Sequence, residues 1–170
     1  MTLGMSLATF TLVHVLISLA GIGSGLVVLF GMLTGRRMDG WTVFFLATTV
    51  LTSLTGYGFP FTHLLPSHIV GVLSLIALAI AILARYSRRL AGGWRKTYVI
   101  TAMIALYFNV FVLVVQSFEK VPALNALAPT QKEPPFVIAQ LLVMIAFIVL
   151  TVFAVKRFHE ESAIPIARAA

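Results

Sequence analysis

The sequence predicts an all-α, polytopic membrane fold: one integral membrane domain over residues 1–170, built as a helical bundle with five transmembrane helices. Three observations carry this expectation. Hydrophobic residue types fill 60% of the 170 positions and charged residues only 10%, against about 25% charged in soluble domains. At about 20 apolar residues per crossing, that stock supplies about five spans with short connections. Charge, Pro and Gly cluster between long apolar runs, and no run shows the ten-residue alternation of a membrane β-barrel strand.

The first span covers 7–33. No basic region precedes its apolar run, so it reads as a retained span rather than a cleaved signal peptide. His14, Ser18, Gly21 and Gly25 fall at i, i+4, i+7 and i+11 on one helical face. Small residues at such spacing, in Gly21-x-x-x-Gly25 and again in Gly31-x-x-x-Gly35, let a second helix approach closely, so Ser18, Gly21 and Gly25 are assigned to helix packing. The sharper alternative is that they leave room beneath His14 for a flat cofactor. The second span, 41–59, carries Thr48, Thr52 and Thr55 on one face and Thr49, Ser53 and Gly56 on the next. Such hydroxyls can bond to their own backbone, so this face need not be wet.

Pro60 and Pro66, with no cation between them, predict a tight external turn that holds His63. The third span, 66–84, has His68 in its first turn. The fourth, 98–118, sets Ala102, Asn109 and Gln116 at heptad spacing. The segment 119–135, with Pro122, Pro129, Pro134 and Pro135, reads as an external cap or lid. Within it Thr130 and Glu133 have capping-box spacing and mark the start of the fifth span, 136–155. Gln140 enters that span near its outer end. An amide in hydrocarbon lacks partners, so Asn109, Gln116 and Gln140 are expected to face protein, as interhelical hydrogen bonds or as a polar pathway or quinone contact.

Of the 12 Lys and Arg residues, all but Lys120 and Lys132 fall on one side of these spans. The positive-inside rule then places the N-terminus outside and the C-terminus in the cytoplasm. Trp41 and Trp94 sit at the basic interface as aromatic anchors. Arg85, Arg88, Arg89, Arg95 and Lys96 form a cluster suited to anionic lipid head groups or an acidic partner. Because the cations lie between apolar runs, the net charge of +7 does not point to nucleic acid as a partner. The chain has no cysteine, which excludes disulfides, iron–sulfur clusters and thiolate chemistry. A near-constant offset of 54 residues from His14 to His68 and 53 from Gly40-Trp41 to Gly93-Trp94 suggests a tandem two-helix hairpin repeat with one helix added.

No Asp, Glu, Lys or Arg is expected inside a span, which argues against coupled transport. No phosphate-binding loop, nucleophile triad or carboxylate pair is present, so no catalytic residue is assigned. Nor is any metal ligand: His63 would add a third imidazole on the outer side, but the spacing is unlike a metal motif. His159, beside Glu160 and Glu161, reads as solvated. What remains is the pair His14 and His68, at comparable depth near the outer face, which could ligate one b-type haem if their helices are neighbours.

Thr55-Gly56-Tyr57-Gly58-Phe59-Pro60, Pro66-Ser67-His68-Ile69-Val70-Gly71 and Gly93-Trp94-Arg95 resemble segments of small bacterial multi-pass membrane proteins. Together with His14 they are also loosely similar to b-type cytochrome membrane modules. The resemblance covers about two thirds of the chain, from Leu7 to Phe118. It implies a bacterial inner (plasma) membrane location and haem b ligation by His14 and His68. It departs from two-haem cytochromes in having no His near the cytoplasmic ends of spans one to four. Two functional readings stand. One is a non-catalytic scaffold, accessory subunit or passive conduit, partnered by the lipid bilayer and by another membrane protein or a second copy of the chain. The other is a single-haem electron-transfer module, quinone-linked, near the outer face.

Overall fold

The computed structural model describes residues 4–59 and 66–159. The predicted turn around His63 lies outside the described residues. Six helices follow in order: α1 (Leu7–Leu33), α2 (Asp39–Gly56), α3 (Pro66–Ile82), α4 (Trp94–Lys120), α5 (Pro122–Leu127) and α6 (Pro134–Arg157). There is no β-strand among the described residues. Among the described residues, four segments are long and apolar enough to cross a membrane: Leu7–Leu33, His68–Ser87, Trp94–Lys120 and Pro134–Arg157. The fifth expected crossing, α2, is 18 residues long, about 27 Å at helical rise. It lacks an apolar stretch as strong as those of the four, because Asp39 and a series of Thr and Ser side chains lie on it.

Local chemistry sets the helix ends. Ser6 caps α1, its hydroxyl accepting from the Thr9 N–H at 3.1 Å. At the other end Gly35 adopts φ +72°, and the Arg36 N–H reaches the Gly31 carbonyl at 2.8 Å while the Gly35 N–H reaches Met32. That is a Schellman ending, which needs the left-handed conformation glycine tolerates. Gly35 is therefore a helix stop, and the second small-residue pair on α1 is split between two neighbours: a Cβ at Gly31 would meet Met38 and the Arg36 carbonyl of the following loop, and one at Gly35 would lie 3.4 Å from the Arg157 carbonyl at the end of α6.

The helix α3 runs on into a π turn, Leu83–Ser87, closed by the Arg88 N–H on the Leu83 carbonyl at 2.9 Å. Arg89 and Leu90 then take positive φ of 48° and 60°. Burial of the Leu90 side chain in the core offsets the strain a branched residue meets there.

The segment 119–135 is an ordered cap with its own short helix, α5, started by Pro122. Its Asn125 amide donates to the Phe118 carbonyl at 3.2 Å and so closes the end of α4. Thr130 and Glu133 do bond to each other, but not as a capping box. Glu133 is itself the N-cap of α6, and its carboxylate turns back to accept from the Thr130 hydroxyl at 2.8 Å. The helix begins at Pro134, where a missing N–H costs nothing.

The helices α1 to α4 form an up-and-down bundle: α1 packs on α2, α2 on α3, α3 on α4, and α4 closes back on α1. The last helix, α6, lies against α4 and α1. The core between them is made of Leu29, Met32, Phe45, Leu78, Tyr98 and Leu106 with small alanines between. Outward faces carry large exposed aliphatic residues, which suits helices whose surroundings are lipid.

Candidate functional site

The interior holds three polar junctions, stacked along α2. At one end the Thr55 hydroxyl donates to the Leu51 carbonyl at 2.7 Å and also meets Nδ1 of His14 at 2.7 Å. A hydroxyl has one proton. That proton goes either to the Leu51 carbonyl or to Nδ1, and in both cases the contact fixes the orientation of the His14 ring. The ring of Phe59 stands edge-on to His14 at 5.2 Å. Nearby, the Tyr57 hydroxyl donates to the His68 carbonyl at 2.7 Å, and the Tyr57 ring faces the buried His68 ring at 5.4 Å. Gly71 makes this possible, since a Cβ there would sit 2.9 Å from the Tyr57 hydroxyl.

His14 and His68 thus both gather at the end of α2. Joint ligation of one haem from α1 and α3 requires those helices to be neighbours, and instead α2 packs on each of them. The groove under His14 is also filled. A Cβ on Gly21 would lie 3.3 to 3.4 Å from the side chains of Thr48, Thr49 and Asn109, and one on Gly25 would lie 2.5 Å from Leu106 and 2.9 Å from Phe45. The small residues of α1 admit α2 and α4, leaving no slot there for a flat ring. Ser18 bonds back to the His14 carbonyl at 2.7 Å.

The second junction lies at mid-bundle. Asn109 donates to the Thr49 hydroxyl at 3.3 Å, and Ser53 bonds to Ser74 at 3.2 Å, joining α4 to α2 and α2 to α3. Gln140 donates to the Phe111 carbonyl at 3.2 Å across the α4–α6 contact, while its buried oxygen is unpartnered among the described residues. Gln116 is half-buried and has no side-chain hydrogen bond among them.

Sequence reasoning missed the third junction. Arg85, counted as a loop cation, is buried in the π turn with only 4% of its side chain exposed. It forms an ion pair with Asp39 in the first turn of α2, and its guanidinium lies 5.1 Å from the centre of the Tyr98 ring. The expectation that no span holds a buried charge is therefore corrected: His68–Ser87 contains one. The wider π turn carries Arg85 inward, whereas its run of basic neighbours made it look solvated. Arg88 instead stacks on Trp94 at 5.1 Å, and Trp41 stays half-exposed as an anchor would. His159 is exposed and meets the Arg157 carbonyl through Nδ1 at 2.9 Å.

Compared with known proteins, the chain matches no family model, no curated protein and no solved structure.

Proposed function

We propose that the chain is a non-catalytic helical membrane protein that acts as a scaffold, an accessory subunit or a passive conduit. In this reading α2 is a fifth crossing, the N-terminus is outside, the C-terminus is cytoplasmic, and the host membrane is a bacterial inner membrane. The hairpins α1–α2 and α3–α4 are then two copies of one unit. The observation that carries the reading is that three buried polar side chains are engaged across helix contacts, Asn109 on Thr49, Ser53 on Ser74 and Arg85 on the exposed Asp39, while the buried Thr52 and Gln140 oxygens are unpartnered among the described residues. Groups engaged in this way hold helices in register and are not aimed at a substrate. The test is purification in mild detergent after chemical cross-linking in the native membrane. A second membrane polypeptide or a second copy recovered in fixed ratio is expected. A lone chain that also passes no small solute in liposomes would refute the proposal.

A second reading, a single b-type haem module that exchanges electrons with quinone, is favoured by the His14–Thr55 hydrogen bond. A metal-ligating imidazole has its other ring nitrogen fixed by a hydrogen bond, as Thr55 fixes Nδ1. His14 and His68 would hold the iron only if α1 and α3 closed on each other in place of α2, and the haem would then supply one-electron chemistry. The visible spectrum of the purified protein, before and after dithionite, decides it: a haem band that disappears in His14→Ala, His68→Ala supports this reading, and a colourless protein from haem-replete cells removes it.

A further inference from the structure

Where α1 and α6 end side by side, an open depression of about 560 Å³ is lined by Leu33, Thr34, Gly35, Lys156, Arg157 and His159. Three of the six can carry positive charge. Among the described residues no carboxylate pairs with Lys156 or Arg157: the ion pairs are Arg37 and Arg85, both on Asp39. Several carbonyls at these helix ends already have donors, the Val155 carbonyl among them, which accepts from Arg95 at 3.4 Å. Phe30 accepts from the Thr34 hydroxyl at 2.9 Å, Ala154 from the Phe158 N–H at 2.8 Å and Arg157 from His159. A carbonyl can only accept, so His159 donates through Nδ1. Leu33 gives the depression an apolar floor on the bundle side, and Trp94 and Trp41 lie at the same end of the bundle, where aromatic side chains mark the interface.

We propose that this depression holds the phosphate of an anionic phospholipid, with its acyl chains lying along the apolar faces of α1 and α6. The charge is complementary, basic pockets between membrane helices are the known form of such sites, and the location matches the depth of a head group. The proposal rests on the chain being membrane-embedded and is independent of its role as scaffold or redox module.

The test uses the full chain in mild detergent with added phosphatidylglycerol or phosphatidylcholine, read by native mass spectrometry. Wild type should retain phosphatidylglycerol selectively. The variant Lys156→Gln, Arg157→Gln should lose about thirtyfold of that affinity, roughly fivefold per cation, while Lys120→Gln, Lys132→Gln at the opposite end should keep it. Both pairs are surface positions, and Arg157→Gln alone, expected at about fivefold, gives the same reading should the double variant unfold. Equal retention of the two lipids, or of phosphatidylglycerol by wild type and variant, overturns the site. So does full displacement of the lipid by millimolar inorganic phosphate, which would mark a site for a soluble anion. Release of the chain from membranes by alkaline carbonate would instead overturn the membrane reading itself.

Discussion

At the scale of single residues, the decisive positions on α1 are its glycines. Gly25 lies against Phe45 and Leu106, both buried, so an added methyl must displace one of them. Gly25→Ala should therefore destabilise the bundle by about 1–3 kcal/mol, the usual cost of overpacking. Gly23, two residues away, has nothing within 4 Å of its Cβ position. Gly23→Ala should be neutral or stabilising by up to about 1 kcal/mol, because it restricts only the unfolded chain. Thermal unfolding of the two variants in the same detergent checks both, and equal effects would refute the packing argument. The glycine face was legible in the sequence from its spacing alone. Its occupants were not, because periodicity says which side of a helix is small and never which partner fills it.

At the scale of elements, the pair Asp39–Arg85 joins the start of α2 to the π turn after α3, and its two members are unequal. Asp39 is exposed, whereas Arg85 is not. Removing the aspartate leaves a buried guanidinium without its counter-charge, while removing the arginine leaves a carboxylate in water. Asp39→Asn is thus expected to cost on the order of 1–3 kcal/mol and Arg85→Met clearly less, although Asp39 is the surface residue. Denaturant unfolding of both variants measures the order, and the reverse order would contradict the account. Nothing in the sequence distinguishes Arg85 from Arg88 or Arg89; a one-residue change of helical register, set by tertiary packing, does.

The start of α6 makes a pH-dependent prediction. Desolvation pushes the Glu133 carboxyl up, but hydrogen bonds from the Thr130 hydroxyl and the N–H groups of Thr130 and Lys132 outweigh it and hold the group below its usual range. A depressed folded-state value means the contribution is complete above the ordinary Glu value, about 4.3, and is lost as the pH falls through the lower folded value. Hydrogen exchange at the first turn of α6 should accordingly rise at acid pH beyond its intrinsic trend, and Glu133→Gln should remove that dependence. An unchanged acid response in the variant would show that the turn is held by something else.

At the scale of the whole molecule, the two accounts of α2 differ in parity. Five crossings put the ends of the chain on opposite sides of the membrane, and four put them on the same side. The chain has no cysteine, so single cysteines can be introduced without a background. With five crossings, Thr9→Cys should react with a membrane-impermeant maleimide in intact cells and Lys156→Cys only after lysis. Reaction of both in intact cells, or of neither, would fit four. Hydropathy made the other crossings plain from sequence, with ends within a few residues of the structure. The run 41–59 reads as a crossing like the rest, yet α2 is not among the helices long and apolar enough to span, since its Thr and Ser side chains weaken the apolar signal while serving as the bundle's internal polar seam.

That seam has a consequence for synthesis. The Thr49 hydroxyl is bonded by Asn109, which lies 60 residues further along the chain. At about 5–20 residues per second, the ribosome delivers that partner roughly 3–12 s after α2 has emerged. Throughout that interval α2, which is less apolar than α1 before it, lacks its mid-bundle partner on α4, which does not yet exist. A membrane insertase that shelters polar helices should matter most to this protein in those seconds, and a pause in translation between α2 and α4 should lengthen its dependence on that shelter.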